Sequence, residues 1–362
     1  MASPPPVAEK RLQATREHLS RPGVASNPHE SWVHPHLRHS VDPIKGRQLQ
    51  VSQTVKKGEL LLVDCPYAVI PVVDDPLRSD NLLCSHSRCN QRVPCDSGRM
   101  PCPNHCIADV AWCSSACQTA DRRRHAFECT WLQRFAAPIR SKWGEYDFGM
   151  LWLIVRILAT RAVGEEPVCV GQDTADTQSR HFMTGWGAIQ SFCGSHETWS
   201  HSQVRHWSAL TKKYLKDSPA LPHGLSIDDI LAIICKEEAN SFGLYPRETG
   251  KPLLPGPQVD RGEQFGAAVY PRAAIANHSC CPNITHKPDT HGRMVFVASR
   301  DIHDGEECCI SYFDLARYLD LKDRRDHLQT SFRFICRCSR CLAEEAPEED
   351  MNWDAFPAFD ED

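Results

Sequence analysis

The chain has 362 residues, 41% of them hydrophobic, and a formal net charge of −5. That length suits two or three domains with a sizeable core, and the mildly acidic balance gives no argument for wholesale nucleic-acid binding. Cysteine is the outlier, with 19 beside 18 histidines; with no apolar stretch fit for a secretion signal or a membrane span, this usage points to metal in an intracellular chain rather than to disulfides.

Residues 1–30 are Pro-rich, then charged, and are expected to be a disordered lead-in. Lys45-Gly46-Arg47 reads as a turn, and on its own it is an ordinary solvated one. Val55–Val63 then reads as a turn and a strand. Between residues 84 and 129 stand Cys84-x4-Cys89, Cys102-x3-Cys106, Cys113-x3-Cys117 and His125-x3-Cys129, eight ligands in four pairs. A closed structural zinc site takes four such ligands, so eight suit two zincs. Trp112 to Arg134 is expected to form two helical turns carrying the last ligands. Cys95, His86 and His105 read as bystanders. A region with so little apolar core should need metal to fold. Asp121-Arg122-Arg123-Arg124 reads as a small basic helix face.

Residues 130–235 read as helical. Met150–Ala162 is apolar nearly all round, hence a buried helix. Ser226-Ile227-Asp228-Asp229 resembles a capping motif ahead of Ile230–Ile234. Gln172–Arg180 reads as a loop, and Cys193 and Cys235 as small packed apolar groups. Asn240-Ser241-Phe242-Gly243-Leu244 precedes a Pro/Gly-rich loop from Tyr245 to Gly262, and Ala267–Pro271 leads into the small apolar Ala273–Ala276. Then comes Asn277-His278-Ser279-Cys280-Cys281-Pro282-Asn283. Polar side chains beside apolar backbone need partners once buried. Its Asn, His and Ser offer donors and acceptors to a polar ligand, and Cys280 a metal ligand; by composition alone it is equally a turn between strands. Met294–Ala298 reads as a strand, and Arg300–Glu307 turns into another that ends at Tyr312. Leu315–Gln329 reads as a charged helix. Cys336-x-Cys338-x2-Cys341 supplies three thiolates, one short of a tetrahedral zinc site. Ala343–Asp362 is acidic and expected to be disordered.

The string Asn277–Asn283 resembles the Asn-His-Ser-Cys-x-Pro-Asn signature of SET-domain lysine methyltransferases. Gly305-Glu306-Glu307-Cys308-Cys309-Ile310-Ser311-Tyr312 is similar to the family's Gly-Glu-Glu-x-x-x-x-Tyr. The paired cysteines resemble a MYND finger, and the whole of 40–342 resembles fungal-type SET and MYND proteins. The resemblance implies an α+β fold: a split, β-rich SET domain with the finger and a helical segment inserted between the cofactor turn and the main motif. It divides the chain into an N-terminal SET part (31–80), the finger (84–129), a helical insert (130–235), the core SET part (236–315) and a post-SET segment (316–342). The implied activity is S-adenosylmethionine-dependent methylation of a protein lysine, on a histone or another protein.

By the same resemblance, Lys45 and Arg47 flank the methionine end of S-adenosylmethionine, Asn277 and His278 hold its adenosine and amino-acid parts, and Phe334 sits against adenine. Tyr312 directs its hydroxyl at the transferring methyl group. Asn240, Ser241 and Phe332 border the target lysine. Cys84, Cys89, Cys113 and Cys117 are implied to hold one zinc, and Cys102, Cys106, His125 and Cys129 a second. Cys280 joins Cys336, Cys338 and Cys341 for a third. The finger is implied to bind proline-rich peptides or to add to a basic surface, which leaves direct nucleic-acid binding open. A monomer in the nucleus, the cytoplasm or both is expected. Gln48 stands where the family usually has a second Gly, and Phe332 where relatives often have Tyr. These two departures keep an alternative in view, a zinc-dependent interaction module with weak or absent methyltransferase activity.

Overall fold

A computed structural model describes residues 30–164, 182–216, 225–251 and 259–345. The expected lead-in up to 29, the loop at 172–180 and the acidic stretch from 346 onward lie outside the described residues.

Short strands open the chain: β1 (Trp32–Val33), β2 (Leu37–Asp42), β3 (Gly46–Val51), β4 (Leu60–Asp64) and β5 (Ala68–Pro71). Gly46 has φ 77°, so the β2–β3 turn uses the left-handed region that glycine enters freely. Gln48, paired with Ser40, lies inside β3 without a positive φ, so the backbone there does not require glycine. β6 (Met100–Pro101) and β7 (Ala111–Trp112) make a small hairpin within the cysteine-rich region.

A long helix follows, α1 (Ser115–Val163), broken at Gly144 by non-helical backbone. Ser114 caps it by accepting from the Cys117 amide at 3.2 Å. The helix starts after Trp112, which pairs in β7, and it runs through residues 129 and 130 without interruption, far beyond the two turns expected. Met150–Thr160 is buried throughout, as the all-round apolar pattern requires. Asp121 and Arg124, read as part of a solvated basic face, are instead buried, at 0% and 1% exposure. Arg124 donates to both oxygens of Asp121 at 2.6 Å, because a charge this deep persists only when paired.

Beyond α2 (Gly185–Gln190) and α3 (His201–Leu210), helix α4 (Ile227–Asn240) starts with a reciprocal capping box between Ser226 and Asp229. It runs straight into β8 (Ser241–Leu244), which is followed by β9 (Gly266–Val269), β10 (Asn277–His278), β11 (Ile284–Pro288), β12 (Met294–Ala298) and β13 (Glu307–Ile310). The sheets are ordered β1-β4-β12-β11, β10-β13-β3-β2 and β5-β9-β8. β4 is Leu-Leu-Leu-Val-Asp and buried at every position, as a central strand must be.

Asp64, at the end of β4, is fully buried. It accepts from the backbone amides of Arg272 (2.7 Å) and Ala273 (2.9 Å) and from Arg272 Nη1 (3.1 Å). This anchor fixes the turn at Ala273–Ile275 from which the Asn277 string departs. The C-terminal helix is α5 (Leu321–Phe332), preceded by Asp320, so the helix expected from 315 begins six residues later. Arg333 has φ 63°, and this left-handed residue separates Phe332 from Phe334. Helix α6 (Ser339–Glu345) includes Ala343–Glu345, expected to be disordered. Glu344 and Glu345 pair with Arg324 (2.5 Å) and Arg325 (2.7 Å) of α5.

Candidate active site and metal clusters

The parallel pairing of β10 with β13 sets Asn277 opposite Cys309 and His278 opposite Ile310. The Asn277 amide donates to the Arg47 carbonyl (3.0 Å) and to Glu307 Oε1 (2.9 Å). Lys45 pairs with the other oxygen of Glu307. Asn283 donates to the Glu307 carbonyl (2.8 Å) and accepts from the Cys309 amide (2.8 Å), so both ends of the string are stitched to β13. Glu307 was visible only as part of a motif; its opposite charge to Lys45 was the one hint of its bridging role.

His278 is buried. Its Nδ1 accepts from the Tyr312 amide at 3.1 Å, which leaves the proton on Nε2, 3.2 Å from Cys280 Sγ. Burial pushes the imidazole down to about 3, so it stays neutral. Its ring stacks on Phe313 at 5.1 Å, with Phe334 at 6.0 Å. The side chain is thus committed to bracing Tyr312 and Cys280.

Tyr312 donates from its hydroxyl to the Ala276 carbonyl at 3.1 Å. Burial raises its pKa, so the phenol keeps its proton. Phe332 lies against the ring at 4.9 Å. Both line a cavity of about 510 Å³ together with Asn240 and Ser241. All the expected lysine-channel residues therefore meet at one cavity, while Lys45, Arg47, Asn277, His278 and Phe334 gather around the β10–β13 pair.

The loop after α2, within the stretch whose sequence reads as helical, also reaches these residues. Arg47 donates to Ser191 Oγ (3.2 Å) and reaches Cys193 Sγ (3.6 Å), and the Asn240 amide donates to the Cys193 carbonyl (2.6 Å). Cys193 is exposed here, not packed as expected; Cys235 is buried. Gly194 has φ 140°, and a Cβ there would come within 2.8 Å of the Cys235 carbonyl, so only glycine lets this loop close on α4.

Three groups of four donors converge, each with its ligand atoms within 4.8 Å of one another: Cys84, Cys89, Cys113 and Cys117; Cys102, Cys106, His125 and Cys129; Cys280, Cys336, Cys338 and Cys341. Cys95, His86 and His105 belong to none of them. A zinc with Zn–S of about 2.3 Å needs sulfurs about 3.8 Å apart. The observed Cys89–Cys113, Cys113–Cys117 and Cys102–Cys129 separations are 3.7, 3.5 and 3.6 Å. Thiols this crowded resist sharing negative charge, and burial with neighbouring sulfurs raises Cys106 and Cys341. A cation removes that conflict. Each group fits a metal ion.

His125 Nδ1 bonds Glu128 at 3.0 Å. Glu128 also accepts from Trp152 Nε1 (3.0 Å) and Arg156 Nη2 (2.8 Å), and Arg124 Nη1 lies 3.0 Å away. Burial opposes its charge, but Arg124 and Arg156 hold the carboxyl well below the usual range. Arg156 also donates to the Val69 carbonyl of β5 at 2.6 Å. No helix among the described residues is long and apolar enough to cross a membrane.

A family model described as SET domain matches residues 46–313. A SET and MYND domain-containing protein of Dictyostelium discoideum is 22% identical over an aligned length of 377 residues, covering 95% of this chain and 68% of its own. N-lysine methyltransferase SMYD2 of Bos taurus is 27% identical over 320 residues, 85% of this chain and 61% of its own. Among solved structures, Rubisco LSMT bound to AdoMet aligns with 92% of this chain and 57% of that one, at 12% identity and a TM-score of 0.37. The chain spans 61% to 68% of the length of the two curated relatives.

Proposed function

The chain belongs to the SET-domain family, and we propose that it transfers methyl groups from S-adenosylmethionine to a lysine of a protein substrate. The observation that carries this reading is the placement of Tyr312. Its backbone holds His278 on the β10–β13 side, and its ring lines the cavity with Asn240, Ser241 and Phe332. SMYD2, similar over most of this chain, is named an N-lysine methyltransferase.

When bound, S-adenosylmethionine supplies a methyl group activated by a cationic sulfonium. Arg47 has a buried Nε without a partner among the described residues, a donor suited to the carboxylate of an amino-acid moiety. The Asn277 amide, fixed by Arg47 and Glu307, and the Phe334 ring complete that side. A free lysine has a pKa of about 10.4, and the amine must lose its proton to attack. Burial between the Tyr312 and Phe332 rings disfavours the ammonium form at that end of the cavity. The Tyr312 hydroxyl donates to Ala276, so its oxygen keeps lone pairs to accept an N–H from the amine and orient it. Alignment of this kind contributes several kcal/mol to lowering a barrier. We assign a zinc to each of the three four-donor groups, which makes residues 84–129 a finger and the third group a post-SET clasp.

Calorimetric titration with S-adenosylmethionine, followed by a proteome-wide methylation assay with wild type and Tyr312→Phe, tests the reading. Cofactor binding with labelling of lysine that the variant largely loses is the expected result. No cofactor binding alongside intact peptide binding would favour the interaction module instead.

A further inference from the structure

The cavity carries more acid than methyl transfer needs. Glu237 stands on the last turn of α4, three residues before Asn240 and so on the same helix face. It lines the cavity, is 3% exposed, and its Oε2 has no hydrogen-bond partner among the described residues. An unpaired buried carboxyl oxygen is costly; a hydrogen bond from Ser241 meets the carboxyl group but leaves Oε2 unpaired. Glu238 and Tyr146 line the same cavity beside it. Of the other charged groups on the wall, Glu145 is paired with Arg140 at 3.0 Å, and Arg261 is occupied with Tyr245, its guanidinium 3.7 Å over that ring. Glu237 is therefore left without a cation.

We propose that Glu237, with Glu238 and Tyr146 beside it, forms a subsite for a second cationic side chain of the substrate, an arginine or lysine flanking the lysine that is methylated. The proposal rests on the methyltransferase reading and narrows its substrate class. Space permits it, since about 510 Å³ lies within the roughly 300–1,000 Å³ typical of small-molecule sites, more than one lysine side chain fills. The chemistry suits it too: a carboxylate pair supplies charge-assisted acceptors and an aromatic ring a face for a cation. Burial, with repulsion from Glu238, pushes the Glu237 carboxyl up to about 8. An arriving cation would displace that proton to solvent and satisfy Oε2.

The test is equilibrium binding by fluorescence polarisation, with the full chain and saturating S-adenosylhomocysteine. Two peptide pools carry a central lysine and differ only in holding one arginine or one glutamine at a scanned flanking position. Wild type is expected to bind the arginine pool at least about tenfold more tightly at one or more positions, the effect of one charge-assisted contact. Glu237→Gln, nearly isosteric, should erase that preference while retaining S-adenosylhomocysteine affinity, which reports a folded protein. Should that variant lose its fold, Tyr146→Leu at the exposed ring must weaken the preference. Equal binding of both pools by wild type overturns the proposal, as does a preference unchanged in either folded variant. Methyl transfer to the same peptides separates the two readings: an arginine preference in binding without any transfer keeps the cation subsite and removes the methyltransferase.

Discussion

The second finger cluster and the C-terminal thiol cluster use the same chemistry but are braced in opposite ways. His125 leans on Glu128, and Glu128 on Arg124, Arg156 and Trp152, so that cluster ends in a buried ionic core tied to β5 through Val69. Cys280 belongs to the Asn277 string itself, 3.2 Å from the imidazole that holds the Tyr312 amide. Its three partners follow Phe332 and Phe334 directly, so closing the cluster pins the aromatic wall against Tyr312. One cluster is built into stability, the other into the geometry of the site.

The largest expected effect is on the second kind. Cys338→Ser should remove one metal ion, leaving two of the three zincs that elemental analysis of wild type should find. It should slow methyl transfer by more than the roughly 10–100-fold typical of losing a supporting partner at a metal site, while the finger stays folded. A wild type holding only two zincs would dissolve the comparison. Glu128→Gln should do the converse. Stripping the carboxylate from two buried guanidinium groups is expected to cost about 3–5 kcal/mol, read from urea unfolding, with kcat unchanged in the folded protein. A drop in kcat matching that of Cys338→Ser would mean the finger is coupled to the site after all. The smallest effect is at Phe332. Adding a hydroxyl beside Tyr312 supplies a hydrogen bond of about 0.5–1.5 kcal/mol, enough to restrain a partly methylated amine. Wild type should then reach di- or trimethyl-lysine and Phe332→Tyr stop earlier. Identical product distributions by mass spectrometry would remove position 332 from that role.

The sequence made the ligand groups and the two signature strings legible because their chemistry depends on residue type and spacing. What it hid was pairing over long separations. Arg124 looked solvated because charge runs usually are; Asp121 and Glu128 stand three and four residues away on the same helix, but only the fold buries the group and brings the Ser85 carbonyl to it. Asp64 closed an apolar strand with no sign that it would seat the turn at 273–275, and Glu307, opposite in charge to Lys45, gave no sign of its bond to Asn277. The charged pattern of the C-terminal helix extends N-terminally to Leu315, but the helix itself begins at Leu321, after Asp320. Cys193 has no spaced partner and so reads as a packed apolar group, yet its carbonyl and thiol lie between Asn240 and Arg47.

The central claim is that the Tyr312 hydroxyl orients the reacting amine. Single-turnover methyl transfer by wild type and Tyr312→Phe, with S-adenosylmethionine affinity measured in parallel by calorimetry, tests it most directly. The expected result is nearly unchanged affinity with a rate lower by about a hundredfold or more, the scale of removing one well-placed hydrogen-bonding group from a transition state. Equal rates for the two proteins would contradict it.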